Sequence, residues 1–446
     1  MFQVLRNAWK IADLRKKILY TLLIILIFRI GSYVSVPFVD MEVMKNAVAS
    51  NAGGYMDYLT LLSGGGFSNA SIFALSITPY INASIIIQLL TVAIPPLERM
   101  AKDGEAGRKK LGQITRYVTG GLGLMLGVAY YFMVRNKYGA LASEAKTGGA
   151  AWFAAIVIVL CFTAGSALMM WLGEQINEKG IGNGISILLF AGIISRLPTA
   201  LNFLWKLFYD SGIKILDQGG GAAVKNMVLV PIIVILFLAI VGFIVFLTDA
   251  ERRIPVQYAK RVVGRKMYGG QSTHIPIKVN MSGVMPIIFA QSIASLPATI
   301  GAFAGWTLES QGFGGGLMRL FDTTKPFYSV LYFLLIVGFS YFYATMQFNP
   351  IEVANNLKKN GGFIPGFRPG KPTADFILKV LNKITMFGAL YLSVIAIAPI
   401  ITGNLFGYSS LAIGGTSVII VVGVALETVK QMEAQMLMRH YKGFLE

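Results

Sequence analysis

Long apolar runs with few charges recur along this whole sequence, and they constrain its fold more than any other feature. Only 13% of its 446 residues are charged and 55% are hydrophobic, whereas a soluble domain carries about 25% charged residues. Because about 20 apolar residues cross a bilayer as a helix, ten spans are predicted. They lie near residues 18–37, 76–94, 116–134, 151–172, 184–201, 227–248, 283–304, 326–346, 380–400 and 409–427. The sequence therefore predicts an all-α polytopic membrane protein.

The basic residues lie between the apolar runs, and their distribution predicts an orientation. The net charge of +18 is not concentrated on one domain, as it would be in a nucleic-acid binder. With the N-terminus inside, 28 of the 39 lysines and arginines fall in inner segments and 10 in outer loops. Since cytoplasmic loops are enriched in these residues, both termini are expected in the cytoplasm. The first run ends at Pro37 without a small-residue cleavage site, so we interpret it as a retained span.

Two long inner loops, residues 249–282 and 347–379, hold many of these basic residues. One interpretation is that they anchor the protein against anionic lipid. The other is that stretches such as 254–258 and 361–366 fold into protruding structures that present arginine to an acidic partner. The candidate docking residues on these loops are Arg252, Arg253, Lys260, Arg261, Lys358, Lys359 and Arg368.

The sequence lacks the motifs of common catalytic and metal sites. It contains no phosphate-binding Walker motif, no zinc-binding H-E-x-x-H and no G-x-S-x-G elbow. Two histidines and one cysteine are too few for a histidine-based metal site or an intrachain disulfide. The glycine-rich stretch 180–184 does not follow a strand, so nucleotide binding is not expected. We therefore predict no enzyme activity, no metal, no cofactor and no small-molecule substrate.

Ionisable residues are scarce inside the predicted spans, and Arg29 is the clear case. Snorkelling to the interface or a local partner accounts for it. Ion-coupled carriers keep charged groups at mid-membrane. A chain without them fits a pore better than a coupled carrier.

Residues 64–90 are the most informative stretch. Three glycines, Gly64, Gly65 and Gly66, precede a weakly apolar segment, and Pro79 disfavours a continuous helix. A short half-helix within about residues 57–75, a break and a membrane-deep helix are predicted. Non-helical backbone at membrane depth is tolerated where it lines a cavity or is buried in protein. Such interrupted helices indicate the functional centre of a transporter or channel.

Two aliphatic pairs have helical i, i+4 spacing: Ile77 with Ile81, and Ile185 with Leu189. Such pairs are usually core packing or face lipid. A hydrophobic constriction built from them can also gate a pore by dewetting and close around a moving chain without binding it.

Several long motifs carry a resemblance that covers essentially the whole chain. They lie at residues 71–75, 78–90, 182–187, 258–261, 271–280, 348–350, 356–359, 365–370 and 414–417. With these motifs the sequence resembles the SecY/Sec61-alpha family of protein-conducting channels.

The resemblance implies an architecture of ten spans in two inverted five-helix halves around a central hourglass pore. The halves would be residues 1–201 and 227–446, joined by an external loop at 202–226. The lateral gate would open between spans 2–3 and 7–8, with Gln88 and Ile293 at its seam. The pore ring would be Ile77, Ile81, Ile185, Leu189, Ile288 and Ile420. Leu189 replaces a typical isoleucine but keeps its size and apolar character. A re-entrant plug half-helix would contain Gly64, Gly65, Gly66, Phe67, Ser68, Asn69, Ala70, Ser71, Ile72 and Phe73.

The resemblance also implies a function and partners. The chain would conduct unfolded secretory polypeptides across the bacterial cytoplasmic membrane and release membrane-protein helices and signal sequences laterally into lipid. The SecA ATPase or the ribosome would dock on the two inner loops, with Arg368 at the position the family uses most critically. SecE and SecG would be its small membrane partner subunits. The alternatives are a secondary transporter with inverted repeats, which needs an ion-coordinating cluster at mid-membrane, and an insertase or scaffold without a pore.

Overall fold

The structure is a computed structural model of the full chain. It describes residues 2–50, 55–142, 149–218, 221–258, 261–263, 266–268, 272–281, 283–303, 306, 312–322, 325–406 and 414–442. Most of these residues are helical. In chain order the helices are α1 Phe2–Lys10, α2 Ala12–Gly31, α3 Met41–Ser50, α4 Tyr55–Leu62, α5 Thr78–Ala93, α6 Pro95–Lys102, α7 Gly104–Phe132, α8 Gly149–Lys179, α9 Gly184–Ile194, α10 Leu197–Gln218, α11 Gly221–Asp249, α12 Met285–Phe303, α13 Phe313–Leu320, α14 Pro326–Gln347, α15 Pro350–Lys359, α16 Lys371–Phe406 and α17 Gly414–Lys442.

Each predicted span overlaps one of these helices. Within the described residues, six helical stretches are long and apolar enough to cross a bilayer, and α5 with α6 forms a further candidate pair bent by 102°. That bend lies where Pro95 begins α6. Helix α2 is continuous but carries charged residues at both ends, Arg15 to Lys17 and Arg29, and the apolar helix Met285–Gly301 is short. The chain is thus a multi-pass membrane protein, and the number of ten spans stays a prediction.

The outer surface of the helices is rich in large apolar side chains. Leu26, Ile235, Leu238, Phe246 and Leu334 are each at least 60% exposed. A surface of this kind is unfavourable in water and is expected where lipid is the solvent.

The described residues of the helical part form four apolar clusters, the smallest of which joins α1, α2, Ile181 and α17. One contains side chains of α2, α4, α5, α8, α9, α12 and α17 and lies at the centre of the helix arrangement. A second joins the C-terminal part of α7 with α3, α8 and residues 67–75. A third joins α11, α12, α14, α16 and α17. The central cluster is where the N-terminal and C-terminal helices meet.

The described residues of the two long loops that the sequence predicts to be on the inner side fold together into one unit, here called the docking unit after its predicted role (within residues 250–281 and 348–381). Its strands are β1 Glu251–Tyr258, β2 Arg261–Val263, β3 Lys266–Tyr268, β4 Ser272–Lys278 and β5 Gly362–Phe363. Strand β1 is central in the order β4-β1-β5, and both pairings are antiparallel. A small core containing Ile254, Val256, Ile277, Leu357 and Ile364 lies beneath the sheet. The unit therefore has its own hydrophobic core.

Candidate functional site

The six predicted ring residues lie together in the central cluster. Ile77, Ile81, Leu189, Ile288 and Ile420 are buried, and Ile185 is partly buried against them. They come from four separate parts of the chain: the start of α5, helix α9, helix α12 and helix α17. Long-range packing therefore brings together residues that are up to 343 positions apart in sequence.

A small cavity of about 10 Å³ is lined in part by four of these residues, Ile81, Leu189, Ile288 and Ile420. A volume of this size holds about one water molecule. Its lining is mostly aliphatic and includes three hydroxyl side chains. The lining residues are Leu62, Thr78, Ile81, Leu189, Ile288, Ser292, Ser295 and Ile420. This cavity is thus narrow and largely apolar.

The start of α9 is fixed by two asparagines. Asn183 is the N-cap, and its Oδ1 accepts hydrogen bonds from the backbone N–H of Ile185 and Ser186. The Oδ1 of Asn177 accepts from the N–H of Gly184 at 2.8 Å. These caps satisfy backbone donors that a helix leaves unpaired at its first turn. They set the axial position of the first α9 ring residue.

The predicted plug, residues 64–73, is not helical. Helix α4 ends at Leu62, and residues 63–77 form a series of turns up to the start of α5 at Thr78. Gly64 and Gly65 have φ angles of +62° and +94°, in the region that disfavours side chains. The half-helix predicted within 57–75 is therefore confined to Tyr55–Leu62, whereas the predicted break before Pro79 is present.

Hydrogen bonds attach the predicted plug to neighbouring spans. Ser35, which follows α2, forms an antiparallel bridge with Ser71. The hydroxyl of Tyr130 in α7 donates to the carbonyl oxygen of Phe67 at 2.9 Å. The rings of Tyr130 and Phe67 also meet edge to face, with centroids 5.0 Å apart. The plug backbone is thus bound to two different spans.

Three glycines on three helices, here called the glycine cradle (Gly31, Gly165 and Gly192), lie directly against this segment. A Cβ at Gly31 would overlap the ring of Phe73, and one at Gly165 would overlap the carbonyl of Ile72. A Cβ at Gly192 would lie 2.6 Å from the carbonyl oxygen of Leu62. Real Cβ contacts are longer than this, so the glycines permit an approach that any side chain would prevent.

The two predicted gate residues lie on facing helices. Gln88 in α5 accepts a hydrogen bond at its Oε1 from the hydroxyl of Tyr343 in α14, at 3.3 Å. Ile293 in α12 lines an apolar cavity of about 280 Å³ between α5, α7 and α12, beside Ile86 and Leu89. Sequence reasoning missed Tyr343, because a tyrosine in an apolar span carries no local signal of its partner.

The docking unit presents most of the predicted basic residues on its surface. Arg252 and Arg253 are exposed on β1, and Arg253 pairs with Glu251 at 2.7 Å. Lys358 and Lys359 are exposed in the last turn of α15, where positive charge stabilises the helix. Arg261 lies in β2. Lys260 lies outside the described residues.

Arg368 is exposed on a loop whose backbone is fixed by contacts with α16. The hydroxyl of Thr373 donates to the carbonyl oxygen of Arg368 at 2.8 Å. The neighbouring Phe367 stacks on Phe376 with ring centroids 4.2 Å apart. Gly366 has a φ angle of +88°, which turns the chain sharply beside this pair. The guanidinium is thereby presented from a fixed loop.

Two exposed ion pairs lie within α6 and in the first turns of α7, a segment that the sequence predicts to be outside the membrane. Lys102 donates to Glu98 at 2.5 Å, and Lys109 pairs with Glu105 at 3.0 Å. The hydrogen bond and charge of Lys102 hold the pKa of the Glu98 carboxyl below its usual value. Within the residues that the structure describes, no group of three or more histidine, cysteine, aspartate or glutamate side chains is arranged to hold a metal ion.

Comparisons with known proteins place these features in context. A family model described as SecY matches residues 71–429. The protein translocase subunit SecY of Streptomyces coelicolor is 44% identical over 457 residues, covering 100% of both chains. The protein of the same name from Bacillus subtilis is 43% identical over 451 residues, again covering 100% of both.

Solved structures share the fold at low sequence identity. One described as "The structure of a protein conducting channel" matches with a TM-score of 0.60 and 16% identity, over 95% of this chain and 92% of that one. "Sec61 in the Canine ribosome-channel complex from the endoplasmic reticulum" matches with a TM-score of 0.57 and 14% identity, over the same shares of the two chains. The helix arrangement described above is therefore a known channel fold.

Proposed function

The chain belongs to the SecY family of protein translocase subunits, and from this premise we propose how its residues conduct polypeptide. One observation supports the proposal most directly. Aliphatic residues from four separate parts of the chain surround a central cavity of about 10 Å³, directly beside the predicted plug. An apolar ring of that width excludes water and ions when empty.

In this mechanism the ring closes around the moving chain without binding it. Isoleucine and leucine side chains offer no hydrogen bonds that a passing polypeptide would have to break. Dispersion contacts are individually weak, at about 0.1–0.2 kcal/mol for each atom pair. The ring of Ile77, Ile81, Ile185, Leu189, Ile288 and Ile420 therefore combines a seal at rest with low friction during transport.

The predicted plug, residues 64–73, closes the outer side of the ring at rest. Its hydrogen bonds with Val34, Val36 and Tyr130 and its contact with the glycine cradle support this role. These contacts are neutral apart from a hydrogen bond that Arg29 donates to the carbonyl oxygen of Gly64, and they are few. A chain entering the ring can therefore displace the segment. Transport then requires no chemical step in this protein, and we propose that it is not an enzyme and needs no cofactor.

A lateral gate between α5 and α7 on one side and α12 and α14 on the other would release apolar segments into lipid. The bond between Gln88 and Tyr343 joins the two sides. Beside it, the cavity lined by Ile293 offers an apolar path between them. A signal sequence that replaces these contacts with its own apolar ones would open the seam.

Energy for transport would come from a partner on the docking unit, either the SecA ATPase or the ribosome. The exposed Arg252, Lys358, Lys359 and Arg368 support this proposal, because clustered positive charge favours an acidic partner surface. We further propose SecE and SecG as small membrane partners. The protein would lie in the bacterial cytoplasmic membrane with both termini in the cytoplasm. The inverted halves 1–201 and 227–446, joined at 202–226, belong to the same proposal.

A secondary transporter with inverted repeats is the competing function. It requires polar ion ligands at mid-membrane, whereas the central cavity of the described residues is lined by aliphatic side chains and three hydroxyls. The channel is therefore favoured.

Site-specific photocrosslinking tests the ring directly. A photoreactive residue replaces Leu189 in one variant and the lipid-exposed Ile235 of α11 in the control. A precursor arrested halfway through export should crosslink to position 189 and not to position 235. Equal crosslinking at both positions, or none at position 189 while export proceeds, would contradict the proposed path.

A further inference from the structure

Arg29 is a charged residue in the outer part of α2, inside the first predicted span. It is partly buried, with apolar neighbours in sequence on both sides. A charge at such a position is costly, and those that persist are usually paired and functional. The contacts of its guanidinium therefore indicate what it does.

The guanidinium has two partners. Its Nη1 donates to the carbonyl oxygen of Gly64 at 2.9 Å. Its Nη2 donates to the hydroxyl of Tyr33 at 3.2 Å, and its Cζ lies 5.3 Å from the centre of the Tyr33 ring. Tyr33, four residues after Arg29, orients the guanidinium. Gly64, whose carbonyl oxygen accepts the other hydrogen bond, is 35 residues away in sequence.

Gly64 lies two residues after the end of α4, at the start of the predicted plug. The N–H of Gly65 bonds to the carbonyl of Thr60, and the N–H of Gly64 bonds to the carbonyl of Leu61. With the positive φ angle of Gly64, this pair of bonds defines a Schellman helix end. The Gly64 carbonyl points away from the helix, and Arg29 is its partner.

The same turn also packs against the helix that carries two ring residues. A Cβ at Gly64 would lie 2.9 Å from Nη1 of Arg29, 3.1 Å from Oγ of Ser195 and 3.2 Å from Cα of Gly192. Gly192 lies in α9 and Ser195 is its C-cap, and α9 begins at the ring. Arg29 thus holds the first plug residue between α2 and the ring helix.

We propose that Arg29 is a positioning residue that holds the plug in its closed position through the Gly64 carbonyl. The proposal rests on the channel function proposed above. Hydrogen bonds from a charged donor are about twice as strong as neutral ones. Other bonds from the spans to the plug, such as Tyr130 to Phe67, use neutral donors. Loss of the charged bond should therefore shift the plug toward its open position more than loss of a neutral one.

Passive ion leak through the complete translocon tests this inference. Proteoliposomes holding the full complex are loaded with potassium, and its efflux is measured without precursor or motor. Arg29→Met should raise the plug-dependent leak about tenfold, because a charge-assisted bond is lost. Arg29→Lys keeps one charged donor and should restore most of the seal. If Arg29 acted only through packing contacts and not through its charge, Arg29→Met and Arg29→Lys would show the same leak.

Arg135→Met is the matched control. Arg135 also lies near the end of a span, and its Nη1 donates to the hydroxyl of Tyr131 four residues earlier, at 3.2 Å. Arg135 lies in a π-helical turn, Met133–Lys137, that follows α7. Its hydrogen-bond partner is not a plug residue. Its substitution should leave the leak at the wild-type level.

A wild-type leak in Arg29→Met that still exports precursor would overturn the inference. Should Arg29→Met fail to insert, Tyr33→Phe takes its place, since it removes only one exposed hydroxyl that accepts a hydrogen bond from Arg29. Tyr33→Phe should leak more than wild type, and a wild-type leak in Tyr33→Phe that still exports precursor would overturn the proposal. Export by the wild-type complex is scored separately by protease protection. Failure of that export would refute the channel function itself, whatever the leak shows.

Discussion

At the scale of single residues, glycine determines how closely the predicted plug approaches the spans. Gly165 in α8 lies against the carbonyl of Ile72, and Gly192 in α9 lies against that of Leu62. Small residues generally allow close approach between membrane helices. Here they allow close approach between helices and a non-helical segment.

Gly165→Ala should therefore displace the plug. The new methyl group would overlap the Ile72 carbonyl, and overpacking of this kind costs about 1–3 kcal/mol. Alanine is otherwise favoured over glycine inside a helix, by up to about 1 kcal/mol. We expect higher ion leak and a lower melting temperature of the purified complex.

Gly121→Ala in α7 is the control, because a Cβ at Gly121 would meet nothing within 4 Å. It should keep the wild-type leak and melting temperature. If Gly165→Ala also kept the wild-type ion leak and melting temperature, the position of the plug against α8 would be wrong.

Tyr343→Phe should make the lateral gate easier to open. The substitution removes the hydroxyl that donates to Gln88 and leaves the ring in place. A neutral hydrogen bond contributes about 0.5–1.5 kcal/mol, so precursors with weakened signal sequences should be exported several-fold better. Export assays with graded signal sequences measure this effect.

Tyr341→Phe on the same helix serves as the comparison. Its hydroxyl donates to the carbonyl of Asn382 in α16, away from α5. Improved export of weak precursors by this variant alone would argue against a gate bond at Gln88.

At the scale of elements, the sequence predicts helices better than it predicts what joins them. Hydropathy depends only on neighbouring residues in sequence, so it predicts individual helices well. Each of the ten apolar runs overlaps a helix in the structure. The sequence predicts a half-helix within about residues 57–75, whereas α4 ends at Leu62. The positive φ angles of Gly64 and Gly65 end the helix there, although the following residues are apolar. The pairing of β1 with β5 joins segments about 100 residues apart and has no local signal.

The candidate site shows the same limit. The ring positions were inferred from family resemblance, since aliphatic pairs at i, i+4 are common in any helical core. Neither the Gly64 contact of Arg29 nor the Tyr343 partner of Gln88 was predicted, because both depend on tertiary packing across many residues.

Ile277→Ala should destabilise the docking unit selectively. Ile277 is fully buried in the small core shared by the two loops. Truncation of a buried isoleucine costs about 2–5 kcal/mol, a large share of what so small a core provides. We expect faster limited proteolysis of residues 250–281 and weaker motor binding, while the helical part stays inserted.

Ile351→Ala is its matched control, because Ile351 is 64% exposed on α15. Its proteolysis rate should equal that of wild type. Equal rates in both variants would show that the two loops do not fold as one unit.

At the scale of the whole molecule, an apolar helical body is combined with the basic docking unit. The central cluster joins the N-terminal and C-terminal helices around a narrow apolar opening. The docking unit is built from the loops that follow α11 and α14, both in the C-terminal part. The first of these loops leads directly into α12, which carries the predicted ring residue Ile288.

Arg368→Glu should abolish motor-driven export while leaving the protein inserted and folded. Reversing an exposed charge repels an acidic partner surface, and the loop itself is held by Thr373 and Phe376 rather than by the arginine. Lys109→Glu, at an exposed inner position in α7, controls for loss of positive charge in general. Normal export by Arg368→Glu would contradict the docking role.

Protease protection in proteoliposomes tests the central claim, conduction of polypeptide, most directly. The vesicles contain this chain, its small membrane partner subunits, an added motor ATPase and a precursor with a signal sequence. The channel account predicts that ATP makes the precursor resistant to external protease, and that detergent abolishes this resistance. A precursor that remains fully digested, in vesicles where the assembled complex is demonstrated, would contradict it.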